Sequence, residues 1–164
     1  MQDKQNTQAD EYQDPLEDYS GPDLSDPVEA AIHSTLVSEV HTQPHLCVSA
    51  DTSVREAMQL MVGRHIACVL VEQDGVLAGV FGDRDVLDKV ALEYDAVIDG
   101  PVSAVMSQRP VSVLEVDSVA KVMSIMAVSG YRHVPVVSPE GRPVGIVSPH
   151  RLGSFLKEHL CQTS

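Results

Sequence analysis

Residues 66–85 read IACVLVEQDGVLAGVFGDRD, and residues 131–151 read YRHVPVVSPEGRPVGIVSPHR. Each stretch is an apolar run, a turn rich in Gly, acid or Pro, a second apolar run, and a short polar segment. That order predicts a hairpin running into a helix. Working outward, the two stretches belong to a repeat with a period of 65–66 residues. Val37-Ser38-x-Val40 recurs as Val102-Ser103-x-Val105, and Asp51, Val54, Met58 and Met61 recur as Asp117, Val119, Met123 and Met126. Val69, Val71, Gly75 and Gly79 recur as Val134, Val136, Gly141 and Gly145. The shift wavers by one residue because the turn before the first helix is longer in the first copy. This is a duplicated unit.

Each copy reads as β-α-β-β-α, an α+β architecture. A short strand follows a proline (46–49 and 111–114), and a helix follows with apolar residues at i, i+3, i+4 and i+7: Val54, Ala57, Met58, Met61, then Val119, Val122, Met123, Met126. Ser53 and Glu56 predict a capping box for the first helix, and Asp117 a cap for the second. Strands at 66–71 and 76–81, then 131–137 and 144–148, form the hairpins. A closing helix presents Val86, Leu87 and Val90 in one copy and Leu152, Phe155 and Leu156 in the other. An extra helix is expected at 28–36. One unit of this size buries too little surface to be comfortably stable alone, so two copies are expected to share a core through their sheets.

The chain has 164 residues with 43% hydrophobic and 21% charged side chains, and no apolar run long enough to span a bilayer. Its start, MQDKQNTQAD, has no basic or apolar character, so no signal peptide is expected. Three cysteines (Cys47, Cys68, Cys161) are too few for a disulfide framework, and the expected compartment is the cytoplasm. Net charge is −13, which speaks against nucleic acid or an anionic membrane as partner. Residues 1–27 carry eight acids and one base and no apolar periodicity; they read as a disordered acidic tail, with partner binding as the alternative. The folded remainder is only mildly acidic and can hold a local basic pocket. The organisation is thus tail 1–27, first unit with its leading helix 28–100, and second unit 101–160.

No P-loop, dinucleotide fingerprint, nucleophile elbow or H-E-x-x-H motif is present. His41 and His45 are four apart, but Pro44 argues against the helix that would align them on a metal. Cys68 alternates with Val69 in a strand and reads as an inert thiol. What stands out is the segment after each second hairpin strand: Gly79-Val80-Phe81-Gly82-Asp83-Arg84-Asp85 and Gly145-Ile146-Val147-Ser148-Pro149-His150-Arg151. Backbone N–H groups at a helix start favour anions. Asp83 and Asp85 there either cap the helix or accept hydrogen bonds from a ribose diol, while Arg84 or His150 faces phosphates.

With Val105-Met106-Ser107 before Pro110, and Tyr131-Arg132-His133-Val134-Pro135-Val136-Val137, these motifs resemble a tandem pair of CBS domains, named after cystathionine beta-synthase. The resemblance covers about residues 36–158. It implies two units paired through their sheets about a pseudo-twofold axis, two clefts, and commonly a disc-like homodimer. It implies an adenosine-containing ligand: AMP, ADP, ATP or S-adenosylmethionine. Carried over, Asp85 would hold the ribose, with Gly82, Asp83 and Arg84 around it. Val111, Ser112 and Tyr131 would flank the adenine, near Pro135, and Arg132, His133 and His150 would meet phosphates. Two positions depart from the pattern. Gly82 replaces a Ser or Thr, and Arg151 replaces the second Asp, so one competent cleft is expected at Asp85 and an empty or altered one at Arg151. The expected function is a non-enzymatic sensing module acting on a protein effector in trans; the alternative is a dimerisation scaffold that has lost its ligand.

Overall fold

The computed structural model of the chain describes residues 26–41 and 45–161. The acidic segment up to residue 25, where disorder is expected, lies outside the described residues. Helix α1 (Pro27–Ser34) starts where the sequence allows: Asp26 accepts a hydrogen bond from the Val28 N–H at 2.7 Å, and Pro27 occupies the first turn, where its missing N–H costs nothing. The single helix expected at 28–36 is broken. The chain extends at Thr35 and Leu36 and forms a second short helix, α2 (Val37–Val40), because the Val37 and Ser38 N–H groups bond to the Asp117 and Glu115 carbonyls.

In the first unit, β1 (Cys47–Ser49) pairs in parallel with β2 (Cys68–Gln73), which pairs antiparallel with β3 (Val76–Gly82). Between them, α3 (Val54–Arg64) opens on the expected capping box: Ser53 accepts from the Glu56 N–H, and Glu56 accepts from the Ser53 N–H, both at 3.2 Å. The hairpin turn places Asp74 and Gly75 at φ 53° and 76°, left-handed at both central positions, as a tight hairpin between right-twisted strands requires. After β3 come α4 (Asp83–Asp85), a wide-turned continuation over Val86–Val90, α5 (Tyr94–Val97) and a tight 3-10 turn at Val102–Ala104. A two-residue strand β4 (Ser107–Gln108), absent from the sequence reading, joins the free edge of β3. Two residues carry no readable periodicity.

The second unit repeats the plan with β5 (Val113–Leu114), α6 (Val119–Ser129), β6 (Val134–Val137), β7 (Pro143–Val147) and α7 (Pro149–Cys161) in a sheet ordered β5-β6-β7. Two expectations fail here. Asp117 does not cap α6; Ser118 stands at the cap position, and the Asp117 carboxylate accepts from the Leu114 N–H at 2.7 Å and from Lys121 at 2.8 Å. The first strand begins at Val113 rather than 111, with Val111 45% exposed. In the first unit Leu87, expected to face the core, is 70% exposed, because the wider turn over Val86–Val90 rotates it outward while Val90 is fully buried.

The Asp117 contacts set a pH dependence. Burial pushes its carboxyl upward, but the Lys121 hydrogen bond, the Leu114 N–H and the Lys121 charge outweigh this and hold it below the usual carboxylate range. A carboxylate whose folded value is depressed contributes stability above its unfolded value of about 3.9, lost as pH falls through the folded value. Asp117→Asn is therefore expected to flatten the acid limb of the stability profile; an unchanged limb in denaturant titrations below pH 4 would reject this role.

The two cores exchange their leading segments. The first gathers Val54, Ala57, Val69, Val71, Phe81 and Val90 with Val102, Val105 and Met106 from the start of the second unit. The second gathers Val113, Val119, Val122, Val134, Val136, Val147, Leu152 and Phe155 with Val37 and Val40 from the start of the first. The leading helix, which chain order assigns to the first unit, thus packs on the second. Since each half carries part of the other's core, neither closes alone.

Candidate functional site: a cleft lined by both units

A cleft of about 950 Å3 lies between the units. The first unit contributes His45 and Leu46 before β1, Arg64 and His65 at the end of α3, and Ile66, Ala67 and Cys68 leading into β2. The second contributes His133 before β6, Ile146 on β7, and Ser148, Pro149, His150 and Arg151 at the start of α7. His65 closes α3 in the left-handed conformation (φ 53°), which turns the chain back along the cleft wall. Leu46, Ile66, Ile146 and Pro149 form an apolar surface suited to a flat ring, Ala67, Cys68 and Ser148 are small, and the rest of the wall is guanidinium or imidazole; among the described residues no carboxylate lines it.

Of the residues read from the sequence, His133, His150 and Arg151 lie on this wall, so this is the cleft at Arg151. Burial holds the His133 imidazole below its usual value; Asp83 opposes this and Arg132 reinforces it. Pro135 is buried on β6 with Ile146 as its partner across the ladder. Tyr131 and Val111 are each 45% exposed, Ser112 is half-buried, and Arg132 is exposed, all outside the cleft wall. Arg84 is exposed and pairs with Asp88 at 3.5 Å, and the exposed Asp83 donates its N–H to the Ala67 carbonyl at 3.0 Å.

Asp85 has its own surroundings. It is 6% exposed, and its carboxylate accepts from the Gly82 N–H at 3.1 Å, Ser107 Oγ at 2.9 Å and Lys89 Nζ at 2.8 Å. Lys89 also donates to the Met106 carbonyl at 3.0 Å, so the group ties α4 to β4. The glycine at 82 has a packing reason: a Cβ there would stand 3.1 Å from the Ala67 carbonyl and 3.2 Å from Cys68 Cβ. Burial, with Asp83 and Asp85 nearby, pushes the Cys68 thiol up to about 12, so it stays neutral and unreactive at pH 7.

The cleft is built largely from the repeat mates of the residues named from the sequence. Leu46, Ile66, Ala67 and Cys68 stand 65 residues before Val111, Tyr131, Arg132 and His133. Ser148–Arg151 stand 66 after Gly82–Asp85. The duplication was the available signal: whatever one copy nominates, the other nominates at the twin cleft. Among the described residues no cluster of three or more His, Cys, Asp or Glu is placed to hold a metal ion, and no helix is long and apolar enough to cross a membrane.

The family model for the CBS domain matches twice, at residues 37–92 and 102–157. The chain belongs to the CBS domain family. This CBS pair is 31% identical over 121 residues to the CBS domain-containing protein YhcV of Bacillus subtilis, covering 73% of this chain and 80% of that one. It is 30% identical over 102 residues to CBSCBSPB1 of Arabidopsis thaliana, but spans only 19% of that protein's length. Among solved structures, the fold superposes on CBSX2 in complex with AMP with a TM-score of 0.66 at 24% identity, covering 79% of this chain and 98% of that one. It superposes on the CBS domain pair of MJ0100, in complex with 5'-methylthioadenosine and S-adenosylmethionine, with a TM-score of 0.68 at 22% identity, covering 76% and 97%. At these identities the likeness establishes the fold of the pair.

Proposed function

We propose that this CBS pair is a regulatory, non-catalytic module that binds an adenosine-containing ligand (AMP, ADP, ATP or S-adenosylmethionine) between its units and signals to a protein effector in trans. The observation that carries the reading is the cleft itself: each unit supplies both apolar and polar lining residues, so an occupant bridges both. A ligand that prefers one arrangement of the units shifts the population toward it by its differential affinity, and this is how binding would reach an effector. Solved CBS pairs holding AMP, 5'-methylthioadenosine and S-adenosylmethionine support the ligand class. The compartment in this reading is the cytoplasm.

A thermal-shift titration tests it. At about 100 Kd a ligand specific for the native state adds about 2.7 kcal/mol, which raises Tm by roughly 5–10 °C in a chain of this size. One of the four ligands is expected to give such a shift, and silence from all four would reject nucleotide sensing. Asp85 favours a second reading: the acceptor nominated for ribose is already engaged by three protein donors, which fits a scaffold without ligand. Silence in the titration is the result that reading expects.

The proposed assembly is a homodimer. Val62, Leu87, Leu92, Val116 and Val128 are between 70% and 87% exposed in the single chain, apolar surface that a second copy would cover. Sedimentation equilibrium is expected to return twice the chain mass, with Leu87→Glu lowering it toward one; a monomer at micromolar concentration would reject the dimer.

A further inference from the structure

The cleft wall carries Arg64, Arg151 and four histidines (His45, His65, His133, His150) and, among the described residues, no carboxylate, in a chain of net charge −13. The repeat supplies an internal control for this charge. His45, Arg64, His65, His133, His150 and Arg151 have as mates Pro110, Ser129, Gly130, Cys68, Arg84 and Asp85, one of them cationic and one acidic, while Ala67 and Pro149 have Arg132 and Asp83 as theirs. The mate positions thus pair their two arginines with two carboxylates, whereas Arg64 and Arg151 share this wall with histidines. α7, 13 residues long, also begins at this wall with Pro149, adding the positive end of its dipole. Arg151 stands between the cleft and a groove of about 210 Å3 bearing Glu39 and Glu158, so Arg64 is the cation further from competing acids on that side.

We propose that this cleft is a polyanion site that takes a nucleoside di- or triphosphate, discriminates against the cationic S-adenosylmethionine, and binds more tightly as pH falls. The inference rests on the nucleotide reading above and narrows it. An ammonium and a sulfonium entering a wall of guanidinium and imidazole groups meet no acceptor charge, whereas each additional phosphate gains a partner. The pH response follows from the groups that face the histidines. From α3 and the approach to β1 these are Arg64, His65 and His45; from α7, His150 and Arg151; from β2, the neutral Cys68 thiol. Asp83 and Arg132 act on His133 from opposite signs. Burial disfavours the charged His133 in the free protein, so a phosphate beside it restores that charge and binding takes up a proton.

The test is a set of calorimetric and thermal-shift titrations of the full chain with ATP, sodium tripolyphosphate, AMP, adenosine and S-adenosylmethionine, without magnesium, at pH 6 and pH 8. ATP and tripolyphosphate are expected to bind, each about tenfold more tightly at the lower pH, with Arg64→Gln weakening both about tenfold and leaving adenosine unaffected. The double variant His133→Gln, His150→Gln is expected to flatten the pH ratio. S-adenosylmethionine binding as tightly as ATP, or ATP binding indifferent to both pH and Arg64→Gln, overturns the proposal. The two readings separate cleanly. AMP or adenosine binding without tripolyphosphate keeps nucleotide sensing and rejects the polyanion site. Tripolyphosphate binding with no gain for ATP keeps the polyanion site and rejects adenosine recognition, and no binding by any probe rejects both.

Discussion

Phe81→Ala is expected to lower the unfolding free energy by about 3–5 kcal/mol, the largest effect of any single side-chain truncation here. Phe81 is fully buried on β3, opposite Val69 across the ladder, and is the largest of the completely buried side chains. With no tryptophan and only two phenylalanines in the chain, the first core consists mainly of valines, short and stiff side chains that cannot swing in to refill a ring-sized void. A marginally stable domain has only about 5–15 kcal/mol to lose, so the variant sits near its unfolding threshold at physiological temperature. Urea denaturation reads this directly. Phe81→Leu, which keeps most of the volume, is expected to cost less than about 1.5 kcal/mol. Near-equal midpoints for the two variants would mean that the first core does not close around this ring.

Asp85→Ala is the second large effect, expected at about 2–3 kcal/mol. Truncation strands the Gly82 N–H and Ser107 Oγ without their acceptor and removes the counter-charge of Lys89. Breaking a fully buried pair costs about 3–5 kcal/mol, and the figure here is smaller because the Lys89 side chain is 42% exposed and regains water. Guanidinium denaturation of Asp85→Ala measures the loss, and the same variant carried through the ligand titrations separates two roles. A lowered Tm with unchanged ligand-induced shift assigns Asp85 to the joint between α4 and β4. Loss of the ligand-induced shift at conditions where the variant is still folded would instead place the ligand in the twin cleft.

These two residues also mark how far the chain can be read without coordinates. Phe81 and Val69 were legible as strand residues because the apolar runs are short and bounded by Asp74-Gly75, whose left-handed turn needs those residue types. Ser53 and Glu56 were legible because a capping box is a contact three residues apart. Asp117 fits the same local rule and breaks it: its carboxylate bonds to the Leu114 N–H and Lys121, and Ser118 takes the cap position. Leu87 fails for a related reason, since the helical stripe assumes 3.6 residues per turn and the chain widens over Val86–Val90.

The duplicated β-α-β-β-α plan, its hairpins and its family membership are properties of local pattern and order, and the amino-acid sequence alone determines them. The exchange of Val37 and Val40 for Val102, Val105 and Met106 between the two cores is decided only by tertiary structure, because it depends on contacts between segments far apart in the chain. The same holds for the charge of the cleft. His45, Arg64, His65, His133, His150 and Arg151 are spread over more than 100 positions, and the motifs single out only His133, His150 and Arg151 among them. Their common chemistry acquires meaning only when the pairing of the two units brings them to one wall, where two guanidinium and four imidazole groups become one anion-facing site.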